Sequence, residues 1–474
     1  MLKSIAKNSV IYYISTILTK GISFFLLPLY TSLLSPGNYG VIELMSIVST
    51  IVIIVFSLQI NQAVARYYNE LESQRQMREY TSTVAIFSLS SFGLFTIGAF
   101  LFLPEISAYI NLKESETVFA IVSVSLNALF YLSQNQLSWK IKPVQEMISS
   151  LAYNFFTIGF TIYFLVVKEQ GVVGIFMAQC IGAFVGILIA IANTKSDFGL
   201  YFSKEILKKL LFFSMPLVPG ALAIFVYMLT DRICIKEMLG MDELGVYSVG
   251  NKIASILSFA GIGISSALSP LIFKHYKEAE TPDKIALLFR IFSTFSFILL
   301  AFLSFFAEPI IRVMTNELYL SAVPIIPFLL YAVFLNSLTL FFHGLLFANK
   351  TAKISVIAIS AGVLNLVLNI IFIPEFGILA ASAATLVSYG LNFILLFKFS
   401  QKEYPIKVTL LPLAIVTIIF FSALFLMYYF ELKEVGIGIV FVLCSIIAAL
   451  LIMKRRDYLY VKQKMQAFSG KRKG

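Results

Sequence analysis

Charge is scarce in this chain. Of 474 residues only 13% are Asp, Glu, Lys or Arg, against 59% hydrophobic, and the mean hydropathy is +0.90. Soluble domains carry roughly a quarter charged residues, so the deficit excludes a soluble globular protein. Cysteine is as sparse: Cys180, Cys234 and Cys444 lie far apart, in or beside apolar runs. That spacing supports neither a disulfide framework nor a thiolate metal site, and the three read as small buried hydrophobes. There is no metal-spaced cluster of His, Cys, Asp and Glu and no phosphate-binding glycine loop for ATP. No cofactor and no metal are expected. Long polar intervals are missing too. None exceeds about 20 residues before the basic C-terminal tail, which is too short to hold a catalytic domain. The first thirty residues lack the small-residue cleavage pattern of a signal peptide and read as a first membrane helix.

What is present is a series of apolar runs. A helix needs about 20 apolar residues to cross a bilayer, and the breaks between runs divide the chain into about fourteen spans. They are 8–34, 40–64, 80–103, 117–138, 145–167, 171–193, 206–234, 244–271, 285–312, 321–348, 354–373, 377–399, 406–430 and 435–453. The turns near 169 and 375 are very tight. The fold class is therefore an all-α integral membrane protein.

Basic residues alternate along these connections. One set of loops carries Lys3, Lys7, Arg66, Arg75, Arg78, Lys140, Lys142, Lys195, Lys204, Lys208, Lys209, Lys274, Lys277, Lys284, Lys350, Lys353, Lys398, Lys402 and Lys407, with more in the tail. The opposite set has only Lys113, Lys168, Lys236, Arg312 and Lys433. Basic loops stay cytoplasmic, so both termini are expected inside and the number of spans is even. The net charge of +11 then reflects loops facing anionic lipid head groups; no nucleic acid is implied.

The chain also matches itself at a shift of about 205 residues. "LSPGNYGVIELMSIVSTI" from Leu34 pairs with "LGMDELGVYSVGNKIASI" from Leu239, setting Gly40 against Gly245. "RYYNELE" from Arg66 pairs with "KHYKEAE" from Lys274, and "KEQGVVGIFMA" from Lys168 with "PEFGILAASAA" from Pro374. The repeat spans six helices, so both copies have the same membrane orientation and are related by an axis along the membrane normal. The expected lobes are 1–200 and 201–403, with two further helices and a basic cytoplasmic tail in 404–474.

Three stretches carry a resemblance. They are the "LSPGNYG" turn, "TDRICIKEMLGMDELGVYSVGNKIASIL" and "NLVLNIIFIPEFGILAASAATLVSYGLNFIL". Together they resemble the Wzx-type polysaccharide flippases of the multidrug/oligosaccharidyl-lipid/polysaccharide (MOP) exporter superfamily, over nearly the whole chain. The resemblance implies a two-lobed bundle in the bacterial cytoplasmic (inner) membrane that is not an enzyme. It implies alternating-access transport of undecaprenyl-pyrophosphate-linked oligosaccharide to the outer leaflet, for surface polysaccharide. A polymerase and glycosyltransferases would be pathway partners. Related branches export drugs or lipid II, so a cation-coupled multidrug exporter and a lipid II-type flippase stand as alternatives. A membrane-embedded polymerase would need a catalytic constellation or a large outer loop, and neither is visible.

Ionisable groups at bilayer depth usually face a cavity or a partner, because burying one costs at least about 2.5–3.5 kcal/mol. By helical rise, Lys20 lies about 20 Å from Lys7 and about 22 Å from Ser35, close to the midplane. Lys252 lies about 14 Å from Glu243, in the outer half of its helix. Arg232 is about 34 Å from Lys209 along a straight helix, near the outer interface, although Pro216 and Pro219 can shorten that projection. Lys20, Arg232 and Lys252 are the candidate cavity cations for a pyrophosphate, with Asp231 as counter-ion. The alternative for Asp231 and Arg232 is a plain helix end. Arg66 and Lys274 are candidates for drawing head groups to the cytoplasmic side. Glu43 is a further partner and His343 a candidate proton carrier, each with a structural alternative: a helix-end residue and a histidine bonded between helices. Coupling to H+ or Na+ is chemically open. Asn127, Gln134, Asn135, Gln136, Asn154, Asn336, Asn365 and Asn369 suit either sugar hydroxyls or helix–helix hydrogen bonds.

Overall fold

A computed structural model describes residues 26–430 and 435–453, together with Gly21, Phe24 and Asp457. Among the described residues the secondary structure is helical, without strands. Nine of these helices are long and apolar enough to cross a membrane. Two compact units divide the chain at Ser248 and Val249.

The first unit opens with α1 (Leu27–Leu33) and α2 (Pro36–Ser57). The start of α2 follows from local chemistry: the Ser35 hydroxyl accepts from the Asn38 N–H at 3.3 Å, and Pro36 occupies the first helical turn. The expected span 40–64 is broken. Leu58 and Gln59 both take left-handed backbone angles, and a separate short helix, α3 (Ile60–Tyr67), follows. Next come α4 (Gln74–Leu101), opened by a Ser73–Gln76 capping box, then α5 (Leu103–Ile110), α6 (Glu114–Trp139), α7 (Pro143–Ile162) and α8 (Gly171–Thr194).

Beyond the expected repeat boundary at 200, α9 (Lys204–Ser214) and α10 (Val218–Leu239) remain with the first unit. Leu210 of α9 is buried among Ile60, Ala63 and Val64 of α3 and Tyr80 and Val84 of α4. Phe225 of α10 packs on Ile47 and Ile54 of α2. The expected span 206–234 is therefore two helices, separated at Met215–Leu217, which holds Pro216 and is followed by Pro219 in the first turn of the second helix, and the second runs five residues further. The helix α11 (Met241–Ala254) crosses the unit boundary.

In the second unit, α12 (Ile256–His275), α13 (Thr281–Phe305), α14 (Ala307–Met314), α15 (Ile326–Leu338) and the short α16 (Gly344–Phe347) replace three longer expected spans. They are followed by α17 (Thr351–Glu403), which bends at Gly377 into limbs 351–376 and 378–403. Last come α18 (Leu411–Tyr429) and α19 (Val435–Leu450). The last pair is integral to the unit's core. Phe420 of α18 is fully buried, its ring 5.7 Å from Phe297, 5.8 Å from Tyr331 and 5.9 Å from Phe305. Such contacts each add roughly 0.5–1.5 kcal/mol beyond area burial.

Backbone geometry repeats as the sequence does. Gly171 and Gly377, paired by the internal alignment, have φ of 61° and 59°. Each supports the same sharp reversal, a conformation that costs glycine little.

Candidate functional site

The hairpin α10–α11 carries the charged stretch at 227–236. Asp231 is buried at 6% exposure. The Tyr247 hydroxyl, reaching across from α11, donates to Asp231 Oδ2, and the Arg232 backbone N–H donates to Asp231 Oδ1 at 2.9 Å. Arg232 itself is half-buried. Because α10 ends at Leu239 rather than at 234, Arg232 lies about 10 Å and Asp231 about 12 Å inside that helix end. The helix therefore continues past Arg232 rather than ending beside it. The carboxylate is enclosed and already accepts two hydrogen bonds.

Above this pair the hairpin meets the first repeat through glycines. A Cβ on Gly40 would stand 2.3 Å from the Met241 carbonyl oxygen, and one on Gly245 only 1.9 Å from that of Pro36. The internal alignment pairs Pro36 with Met241 and Gly40 with Gly245, so the contact is reciprocal. Each glycine touches the partner of the residue that touches it, which is the signature of a two-fold contact. Gly37 adds to the seam, its Cβ position 2.8 Å from Asp242 Oδ1. At Gly40 and Gly245, where the obstacle is backbone, any side chain larger than hydrogen would force the two helix starts apart.

A third contact lies at the same helix end. Lys236 Nζ sits 3.0 Å from the centre of the Tyr109 ring at the end of α5 and 3.1 Å from Glu237, to which the Tyr109 hydroxyl also donates. Thus the hairpin of the second repeat is held on α2 and α5 of the first. Glu43, one turn past Gly40, is half-buried and accepts from Tyr39 at 3.4 Å.

The remaining candidates disperse. Lys20 lies outside the described residues. Lys252 is half-buried on α11 and belongs to the second unit. Lys274 falls in α12, its side chain outside the described set. Arg66 is exposed at the end of α3 and paired at 2.5 Å with Glu70, four residues on. The expected helix around His343 is interrupted: His343 caps α16 and its ring stacks 6.1 Å from Phe347. Among the helix amides, Asn127 bonds Tyr153, Gln134 bonds Ser149, and Asn369 bonds Asn365. These are bonds between or along helices.

Sequence reasoning missed a polar hub at the basic end of the first unit. Asp197 is fully buried. Lys140 Nζ reaches both its oxygens, at 2.6 and 2.7 Å, and the Tyr68 hydroxyl donates at 3.2 Å. Gln74 and Gln136 each donate at 3.4 Å. Burial and then the Asp197 carboxylate push the Tyr68 hydroxyl up, so it stays a proton donor. The signal was available: Asp197 is the acid in a segment otherwise rich in lysine. Arg290, 5% exposed on α13, was missed as well. It forms a bidentate pair with Asp457, at 2.6 and 2.9 Å.

Residues 5–276 match the polysaccharide biosynthesis protein family, and 216–374 match the MatE family. An uncharacterized membrane protein of Methanocaldococcus jannaschii is 30% identical over 212 residues, 42% of this chain and 41% of that protein. This chain thus matches about two fifths of that relative's length. The lipid II flippase MurJ in an inward closed conformation superposes with a TM-score of 0.70 at 17% identity, covering 92% of this chain and 98% of that one. An inward-facing MATE family multidrug resistance transporter of the MOP superfamily gives 0.64 at 16% identity, covering 84% and 98%. The chain is a multi-pass membrane protein that belongs to the polysaccharide biosynthesis protein family and has the fold of MOP-superfamily transporters.

Proposed function

We propose that the protein moves a polyprenyl-pyrophosphate-linked oligosaccharide from the cytoplasmic to the outer leaflet by alternating access, for surface polysaccharide synthesis. The observation that carries this reading is the reciprocal seam of Gly40 and Gly245. Alternating access needs a closure between repeats that is tight yet breakable, and a seam of backbone on backbone meets both needs. It forms no covalent link or ion pair that must be undone, and a shift of a few ångströms opens it. By the distribution of basic loops this end is the outer one. Beneath it, Arg232 supplies a cation for a pyrophosphate, while Asp231 and Tyr247 set the position of the helix that carries it. Lys20 and Lys252 are proposed to add charge to the same cargo path. An inside-negative potential favours outward movement of an anion by about 2.3 kcal/mol per charge per 100 mV, so no ATP is required.

The test is to tie the seam. In a background lacking Cys180, Cys234 and Cys444, Gly37→Cys with Asp242→Cys places two thiols where a disulfide can form. Oxidised protein in vesicles should not move lipid-linked oligosaccharide, and reduction should restore movement. Unchanged movement by the cross-linked protein would remove the seam from the mechanism. The buried Asp231 carboxylate favours a second reading, a cation-coupled exporter. Drug-stimulated H+ or Na+ flux that is lost in Asp231→Asn, with no lipid movement, would establish it instead.

A further inference from the structure

A slot in the first unit has no part in that seam. It lies between α4, α6 and α8, has a volume of about 140 Å³, and is walled by Val84, Leu89, Leu132 and Ile191 among others. Leu89 is 58% and Ile191 42% exposed. At membrane depth that exposure means an opening toward lipid. Its lining runs from Thr81 to Leu89 on α4 and from Leu129 to Trp139 on α6, about 12 to 15 Å along the helices. That is half of the roughly 30 Å hydrocarbon core. The slot serves one leaflet.

Its chemistry changes along its length. The deep part is apolar. The shallow end is lined by Gln136, Trp139 and Phe198, beside the Asp197 hub. There the carbonyl end of α8 gathers basic side chains: Arg78 Nε donates to the Ser196 carbonyl at 2.9 Å and Lys142 Nζ to that of Asn193 at 2.8 Å. Held by its Nε, Arg78 is exposed, and among the described residues its two terminal nitrogens have no partner. Lys195, the residue before Ser196, is exposed. An apolar slot one leaflet deep, with an anchored guanidinium at the head-group level, complements an amphiphile with a phosphate head.

We infer that this slot binds one acyl chain of an anionic diacyl phospholipid, with its phosphate on Arg78 and Lys195. The site is separate from the proposed cargo path and makes the protein sensitive to the anionic lipid around it.

Trp139 lines the slot and is the chain's single tryptophan, so the protein carries its own reporter. The full chain is reconstituted in phosphatidylcholine vesicles containing a few per cent of lipid with brominated acyl chains, which quench indole at contact. Brominated phosphatidylglycerol should quench at least about fivefold more effectively than brominated phosphatidylcholine, the preference expected of even one of the two basic contacts at the surface. Arg78→Gln with Lys195→Gln should abolish the preference, and Arg78→Lys should keep part of it. Ala85→Phe, which fills the slot, should reduce quenching by both lipids at an unchanged unfolding temperature. Equal quenching by the two lipids in the wild type would overturn the proposal, as would a preference that survives the double substitution. Polyprenyl phosphate displacing the brominated lipid better than phosphatidylglycerol would overturn the choice of occupant.

Discussion

The two repeats treat the same ion pair differently. In the first, Lys140 meets an Asp197 with no exposed surface, and Tyr68, Gln74 and Gln136 complete the carboxylate's shell. In the second, Lys350 meets Glu403 at 2.5 Å with the two side chains 41% and 23% exposed. Glu403 follows Asp197 by 206 residues and Lys350 follows Lys140 by 210, close to the internal repeat. The tyrosines correspond too. Tyr68 faces Asp197, while its counterpart Tyr276 accepts at its carbonyl from Tyr404, next to Glu403. The second unit buries a different pair, Arg290 with Asp457 from the C-terminal segment. Duplication preserved where charges meet, and the surrounding packing decides how much each meeting is worth.

The largest effect should come from breaking the buried member. Lys140→Ala leaves Asp197 enclosed without its cation, which should cost about 3–5 kcal/mol of stability. Thermal or denaturant unfolding in detergent measures it, and adding Asp197→Ala should recover most of the loss. Asp457→Ala should approach the same cost by stranding Arg290. An effect as small as that of an exposed pair would mean that the burial of Arg290 is not maintained in solution. Tyr68→Phe removes one of several donors to a carboxylate and should cost about 1.5 kcal/mol. Lys350→Ala should be smallest, within about 1 kcal/mol, and should vanish at high salt. A Lys350→Ala loss equal to that of Lys140→Ala would dissolve the contrast between the repeats.

Much of the architecture was legible without coordinates. Gly171 and Gly377 were paired by alignment and share a positive φ near 60°, a conformation that glycine adopts at little cost. The divisions at the 169 and 375 turns came from the breaks between apolar runs. Helix breaks were less legible. Leu58 and Gln59 take left-handed angles although neither residue favours them, and hydropathy runs through them without a mark. Asp231 could be read as a helix end only while α10 was taken to stop near 234. Tyr247, sixteen residues on, became its donor once the hairpin closed.

Composition, the alternation of basic loops and the internal repeat were sufficient by themselves to point to a duplicated helical membrane protein; the family came from the resemblance of three particular stretches. Those properties are sums or periodicities along the chain, and no contact has to be known to count them. Which glycines touch, which carboxylates are enclosed and where lysines are neutralised belonged to the tertiary structure alone. Gly40 and Gly245 were equivalent in sequence; only packing made them neighbours. The meaning of a charge in a membrane protein depends on the few ångströms around it, and those are filled by residues tens to hundreds of positions away.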